Sequence, residues 1–113
     1  MQRDNAYLLD ILEAAKLVLE YIGDKDREYF LKDTQCQDAV IRRLEIIGEA
    51  ARRISRTTAA KFPNIPWTKI RAMRNIMVHE YDDVDLAIVW NTVRSDLPSL
   101  ISLIEPLIPP EED

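Results

Sequence analysis

Glycine, cysteine and histidine are scarce in this chain, and no long apolar run is present. Its 113 residues include two glycines, one cysteine and one histidine. The lone Cys36 excludes an intrachain disulfide, and one cysteine with one histidine gives no credible zinc site, so we expect no metal and no cofactor. No apolar run approaches the ~20 residues of a membrane span, and the polar residues 1–5 lack the apolar segment of a signal peptide. We therefore expect a cytoplasmic protein without membrane contact.

The apolar residues recur with the 3.6-residue period of α-helices, while strand signals and a glycine-rich phosphate loop are absent. A first helix ends at Gly23. Its apolar stripe consists of Leu8, Ile11, Ala15, Val18 and Ile22. After a polar link, a second helix is predicted from about Thr34 to Thr58. Gly48 inside it costs about 1 kcal/mol relative to alanine, which indicates the close approach of another helix.

Two further helices are predicted in the second half of the chain. Pro66 fits the first turn of the third helix, where its missing N–H is no loss. The fourth helix is kinked or broken near Pro98. Together the four helices predict an all-α antiparallel four-helix bundle that forms one domain over residues 1–113. Apolar residues cover more of the first two helices than one small bundle needs, so we expect a homodimer with an isologous interface.

Charge is distributed unevenly along the chain, although the net charge is -5. Residues 1–41 carry five Lys/Arg against nine Asp/Glu, residues 42–74 carry nine against two, and residues 75–113 carry one against nine. The segments therefore sum to -4, +7 and -8. Such a basic middle segment can bind phosphate locally in an acidic molecule. Alternatively, it pairs only with its acidic neighbours.

Residues 74–81 read Arg-Asn-Ile-Met-Val-His-Glu-Tyr and contain the only histidine, His79. At about 100° per residue, Arg74 falls inside the apolar arc of its helix, where a charge needs a partner or a purpose. His79 falls on a polar ridge with Arg71 and Asn75. A permanent cation near a side chain that titrates close to neutrality suits phosphate chemistry. Because the two side chains point about 140° apart on one ideal helix, either the helix ends before His79 or they meet at a helix end or a subunit interface.

In order and spacing, Arg74-x4-His79-x-Tyr81 resembles the motif of the HEPN superfamily, specifically its HepT-like branch. That branch is the toxin half of HEPN–MNT toxin–antitoxin pairs. The resemblance covers most of the chain, because residues 46–51, Ile-Ile-Gly-Glu-Ala-Ala, and residues 65–67, Ile-Pro-Trp, also match. It implies a HEPN-like helical domain and a homodimer that cleaves RNA without a metal at a shared cleft. Arg74 and His79 would be the catalytic residues.

The resemblance also implies a partner, a type VII-like antitoxin. This MNT-type nucleotidyltransferase would neutralise the toxin by AMPylation of Tyr81. Asn75 and Glu49 are expected to support the catalytic pair. Contacts to the RNA backbone are expected from Arg52, Arg53, Arg56, Lys69 and Arg71.

Structural alternatives exist for the three motif residues. Arg74 could form a buried ion pair with Glu45 or Glu49, His79 could cap a helix end, and Tyr81 could be a half-buried aromatic residue. Two other functions also fit the sequence. One is a non-catalytic substrate-binding or regulatory subunit of a nucleotidyltransferase, and the other is a structural dimer.

Overall fold

The computed structural model describes residues 2–75 and 85–109, and most of these residues are helical, with no strand among them. The α-helices are α1 (Gln2–Ile22), α2 (Arg27–Lys32), α3 (Thr34–Arg53), α4 (Arg56–Lys61), α5 (Trp67–Ala72), α6 (Leu86–Asn91) and α7 (Leu97–Ile104). A π-helical segment, Thr92–Asp96, joins α6 to α7, and the 3-10 turn Glu105–Leu107 follows α7. The predicted all-α class is confirmed. Within the described ranges, no helix is long and apolar enough to cross a membrane.

The long helices α1 and α3 lie side by side and run antiparallel. Near one end of the pair, Ser55, just after α3, donates to Asp4 near the start of α1; at the other end, Cys36 near the start of α3 contacts Tyr21. Helix α7 packs against α1, and α5 packs against α3. The predicted stripe of α1 is buried, as are Val40, Leu44, Ile47 and Ala51 of α3. The order of a complete four-helix bundle stays a prediction.

The second predicted helix is shorter than expected, because it ends at Arg53 rather than near Thr58. Ser55 starts the separate helix α4, and its hydroxyl oxygen accepts a hydrogen bond from the Thr58 backbone N–H at 3.2 Å. The buried carboxylate of Asp4 accepts bonds from the Ser55 backbone N–H at 3.0 Å, the Ser55 hydroxyl at 2.7 Å and the Thr58 hydroxyl at 2.5 Å. These hydrogen bonds stabilise the break between α3 and α4. The Ser55 backbone N–H donates to Asp4, whereas in a continuous helix it would donate to a backbone carbonyl one turn earlier.

The predicted polar link after the first helix is also wrong in part, because it contains α2. Asp26 caps this helix by accepting a hydrogen bond from the Tyr29 backbone N–H at 2.9 Å. Phe30 is fully buried, and its ring centroid lies 5.5 Å from that of Trp90 in α6. Helix α2 is too short to show a periodicity of its own, and it is stabilised by this contact between residues 60 positions apart.

Irregular winding in the last predicted helix lies just before Pro98. The π-helical segment ends at Asp96, and Pro98 is the second residue of α7, where the missing N–H is tolerated. Trp90, Val93 and Leu97 are buried. Whether the helix axis is kinked near Pro98 stays a prediction.

Candidate active site

The backbone of Arg74 lies directly against α3 at Gly48. A Cβ atom built on Gly48 would lie 2.8 Å from the Arg74 Cβ and 3.0 Å from its Cα, and it would collide with the Arg74 backbone nitrogen. Only glycine therefore fits here without displacing the chain. The predicted close approach at Gly48 is confirmed, but the approaching element is the turn after α5, in which the Arg74 N–H donates to the Arg71 carbonyl at 3.3 Å.

This contact places Arg74 at the edge of a cleft of about 290 Å³. The cleft, called the basic cleft below, is lined by Glu49, Arg52, Arg53 and Arg74. Arg52 and Arg53 are exposed, while Glu49 and Arg74 are half-buried. Three guanidinium groups and one carboxylate give the lining a formal charge of +2. Guanidinium groups bind phosphate through paired N–H donors, so the basic cleft can hold an anion of that kind.

The predicted structural alternative for Arg74, an ion pair with Glu45 or Glu49, is not formed. Among residues 2–75 and 85–109, the ion pairs within 4.0 Å are Lys16–Glu105, Lys32–Glu28, Arg42–Glu45 and Lys69–Asp96. Glu45 is thus engaged by Arg42, at 2.6 Å. Glu49 lines the same cleft as Arg74, but the two side chains form no ion pair.

The other predicted site residues are dispersed. Asn75 is exposed and adjoins Arg74, but Arg56 lies on α4, and Lys69 and Arg71 lie on α5 outside the lining of the basic cleft. The Lys69 ammonium contacts Asp96 at 3.0 Å. His79 and Tyr81 lie outside the described residues. The structure therefore brings together Arg74, Glu49, Arg52 and Arg53, and the roles assigned to them remain predictions.

Two residues that the sequence reasoning missed lie next to the basic cleft. Tyr7 and Asp10 of α1 line a smaller recess with four residues of α3. This side recess consists of Tyr7, Asp10, Ile46, Glu49, Ala50 and Arg53. The available signal was their spacing, because residues i and i+3 share one face of a helix. Tyr7 and Asp10 are far in sequence from residues 74–81, so the sequence alone did not connect them with the motif.

Among the described residues, the two groups with clearly shifted pKa values do not line the basic cleft. The hydrogen bonds from Thr58 and Ser55 lower the pKa of Asp4 to about 2. Burial raises the pKa of the Cys36 thiol, which lies near the start of α3. In the part of the chain that the structure describes, no three His, Cys, Asp or Glu side chains are grouped as metal ligands. The lining of the basic cleft offers the charge and hydrogen bonding of three guanidinium groups and one carboxylate.

Comparison with known proteins assigns the family. The family described as "Ribonuclease HepT-like" matches residues 11–107, a range that includes the basic cleft and the whole of residues 74–81. The chain belongs to the HepT-like ribonuclease family. The predicted HepT-like resemblance is thereby confirmed, whereas pairing with an antitoxin stays a prediction.

Relatives of this HepT-like chain cover nearly its whole length. "Putative RNase MJ1380" of Methanocaldococcus jannaschii is 42% identical over 100 residues, which are 88% of this chain and 92% of that protein. "Probable ribonuclease HepT" of Thermococcus cleftensis is 44% identical over 101 residues, covering 89% and 92% of the two chains. "Putative RNase TTE0752" of Caldanaerobacter subterraneus subsp. tengcongensis is 31% identical over 112 residues, covering 99% and 100%. No solved structure matches the chain significantly.

Proposed function

We propose that this protein is a cytoplasmic endoribonuclease that cuts RNA without a metal ion. The observation that carries the proposal is the basic cleft, in which Arg52 and Arg53 of α3 meet Arg74 across the contact at Gly48. Membership of the HepT-like ribonuclease family supports the choice of RNA as the anionic substrate. Two of the relatives are named "Putative RNase MJ1380" and "Probable ribonuclease HepT", which points to the same substrate.

In the proposed reaction, the ribose 2′-oxygen attacks the adjacent phosphorus atom. A base removes the 2′-hydroxyl proton, the bond from phosphorus to the 5′-oxygen breaks, and an acid protonates that leaving oxygen. The products are a 2′,3′-cyclic phosphate and a 5′-hydroxyl. The Arg74 guanidinium stabilises the charge that grows on the non-bridging phosphate oxygens. Arg52 and Arg53 hold neighbouring phosphates.

His79 is proposed to transfer the protons in this reaction. One histidine cannot easily act as base and acid at once, so the working unit is proposed to be a homodimer that brings two His79 side chains to one cleft. Asn75 and Glu49 are proposed to orient the catalytic pair, since Asn75 adjoins Arg74 and Glu49 lines the same cleft. Light scattering should then report about twice the chain mass of 13.1 kDa.

Regulation is proposed to occur at Tyr81, two residues after His79. An MNT-type nucleotidyltransferase antitoxin would attach AMP to its hydroxyl group, which adds negative charge and bulk close to the site and excludes RNA. Coexpression with such a partner should add one or more AMP masses to the peptide that contains Tyr81. The Tyr81→Phe variant should escape neutralisation while it keeps the fold. Full silencing of that variant without modification at another residue would contradict this part of the proposal.

The decisive experiment is single-turnover cleavage of RNA in EDTA by wild type, His79→Ala and Arg74→Ala. Each substitution should slow cleavage by at least ~100-fold, which is the lower end expected for the loss of an acid–base or charge-stabilising group. Arg27→Ala is the matched control, because Arg27 is exposed on α2 and does not line the basic cleft. Undiminished cleavage by His79→Ala would remove the histidine from the mechanism. RNA binding by wild type without any cleavage would indicate a non-catalytic binding subunit instead.

A further inference from the structure

The side recess adjoins the basic cleft. Glu49 and Arg53 line both cavities. The recess lies where α1 packs against α3, and it has a volume of about 90 Å³. An RNA phosphate held by Arg53 would therefore place the rest of its nucleotide at the mouth of the recess.

The lining of the side recess differs from that of the basic cleft in charge and in polarity. Asp10 and Glu49 contribute two carboxylates against the single guanidinium of Arg53, which gives a formal charge of -1 in place of +2. Ile46 and Ala50 add apolar surface. Two carboxylates repel a phosphate group, whereas an apolar floor beside hydrogen-bond acceptors suits a planar ring with N–H donors.

Tyr7 supplies the aromatic surface that such a ring needs. Its side chain is half-buried and packs against the hydrophobic core, which holds the ring in place while part of it stays accessible. Unpaired RNA bases bind to proteins mainly by stacking on aromatic rings of this kind and by hydrogen bonds along their edges.

We propose that the side recess is a nucleobase subsite, in which Tyr7 stacks on an unpaired base of the nucleotide next to the phosphate in the basic cleft. This inference rests on the proposed function, because it assumes an RNA substrate. It adds that the substrate is single-stranded at the site and that the enzyme distinguishes among bases there.

Asp10 determines the direction of that preference. Its side chain is exposed at the rim of the recess and takes no part in the ion pairs among the described residues. A carboxylate accepts hydrogen bonds and donates none. It can therefore accept from the exocyclic amino group of adenine or cytosine, whereas at that position uracil presents a carbonyl oxygen, which repels a carboxylate and leaves only the N3–H as a donor. The expected preference over uracil is roughly five- to tenfold, as for one hydrogen bond of ordinary net strength at an exposed position.

Binding of uncleavable oligonucleotides tests the proposal without relying on catalysis. The probes are 2′-O-methyl oligomers of adenine, of cytosine and of uracil, together with an abasic oligomer of the same length. In Tyr7→Leu, affinity for the adenine oligomer should fall by about tenfold, as for the loss of one stacked base, while affinity for the abasic oligomer stays unchanged. Tyr29→Leu is the matched control, since Tyr29 is exposed on α2 outside the recess.

A second variant keeps the test valid if Tyr7→Leu unfolds. Asp10→Asn replaces an exposed side chain and should bind the cytosine and uracil oligomers with nearly equal affinity. Glu13→Gln, exposed one turn later on α1, should retain the wild-type preference. Unchanged affinity for the adenine oligomer in Tyr7→Leu together with an unchanged base preference in Asp10→Asn would overturn the proposal. So would a Tyr7→Leu protein that becomes monomeric with unaltered base preference, because the recess would then be a contact between two copies of the chain.

The outcomes separate this inference from the proposed function. Wild type that binds the oligomers in a base-dependent manner but cuts no RNA would refute the nuclease and leave the subsite standing. Wild type that cuts RNA with Tyr7→Leu and Asp10→Asn indistinguishable from it in binding would refute the subsite alone.

Discussion

Gly48→Ala is the sharpest test of how α3 positions Arg74. The new methyl group would lie 2.8 Å from the Arg74 Cβ and 3.0 Å from its Cα, and closer still to its backbone nitrogen. Backbone atoms cannot rotate away as the end of a long side chain can. We therefore expect the turn after α5 to move away from α3, which displaces Arg74 from Glu49, Arg52 and Arg53.

The expected change in stability is a balance of two opposing effects. Overpacking of a well-packed contact destabilises by about 1–3 kcal/mol. Alanine in place of glycine within a helix stabilises by about 1 kcal/mol. The net loss should therefore be about 0–2 kcal/mol, and the direct collision with backbone favours the upper part of that range. At an unconstrained helical position the same substitution would stabilise the protein by about 1 kcal/mol.

Urea denaturation and RNA binding together distinguish these cases. Gly48→Ala should unfold at lower urea concentration than wild type and bind a 2′-O-methyl RNA oligomer more weakly, because Arg74 is displaced. Asp38→Ala, an exposed substitution on the same helix, should change stability by less than about 0.5 kcal/mol and leave binding unaltered. If Gly48→Ala is more stable than wild type by about 1 kcal/mol and binds RNA normally, the close contact between α3 and Arg74 is refuted.

Three further predictions concern stability and charge. Because the pKa of Asp4 is about 2 in the folded protein against 3.8 as the ordinary value, its hydrogen bonds should add about 2 kcal/mol to the unfolding free energy above pH 4. That contribution should disappear as the pH falls towards 2, and an Asp4→Asn variant that unfolds with the same acid dependence as wild type would contradict the assignment. Phe30→Ala should lower the free energy of unfolding, measured by urea denaturation, by about 3–5 kcal/mol. Tyr29→Ala, at an exposed position, should lower it by less than about 0.5 kcal/mol. Equal effects of the two substitutions would argue against the burial of Phe30. Arg53→Ala should reduce the slope of log affinity for single-stranded RNA against log salt concentration by about 0.7. Lys69→Ala should reduce this slope less, because the Lys69 ammonium is ion-paired. A larger reduction in Lys69→Ala than in Arg53→Ala would remove Arg53 from the RNA contacts.

Features that depend on neighbouring residues were predictable from the sequence. The stripe of α1 follows from a 3.6-residue period over 21 residues, and the end of that helix follows from Gly23, which adopts a positive φ of 53°. Gly48 indicated a close contact, because glycine is unfavourable inside a helix. These signals are local, since each needs only a window of one or two dozen residues.

Features that depend on distant residues were missed. Helix α2 is held by the contact of Phe30 with Trp90, and the break after α3 is held by Asp4, which is 51 positions before Ser55. No periodicity in a six-residue helix could indicate the first contact, and no property of Ser55 alone could indicate the second. The candidate site divides in the same way. Arg52 and Arg53 were found through local charge, whereas Tyr7 and Asp10 reach the side recess only through the packing of α1 on α3.

The residues that shape the candidate site are nearly consecutive on α3, and this arrangement links its charge to the fold. Gly48 fixes the position of Arg74, while Glu49, Arg52 and Arg53 form the facing wall of the basic cleft. Because α3 ends at Arg53, the partial negative charge of its C-terminus stabilises the two adjacent guanidinium groups. The hydrogen bonds from Ser55 to Asp4 hold the chain in the break that ends the helix there. The break after α3 therefore places a helix C-terminus next to the two arginines, and a continuous helix to Thr58 would remove that stabilisation from the cleft.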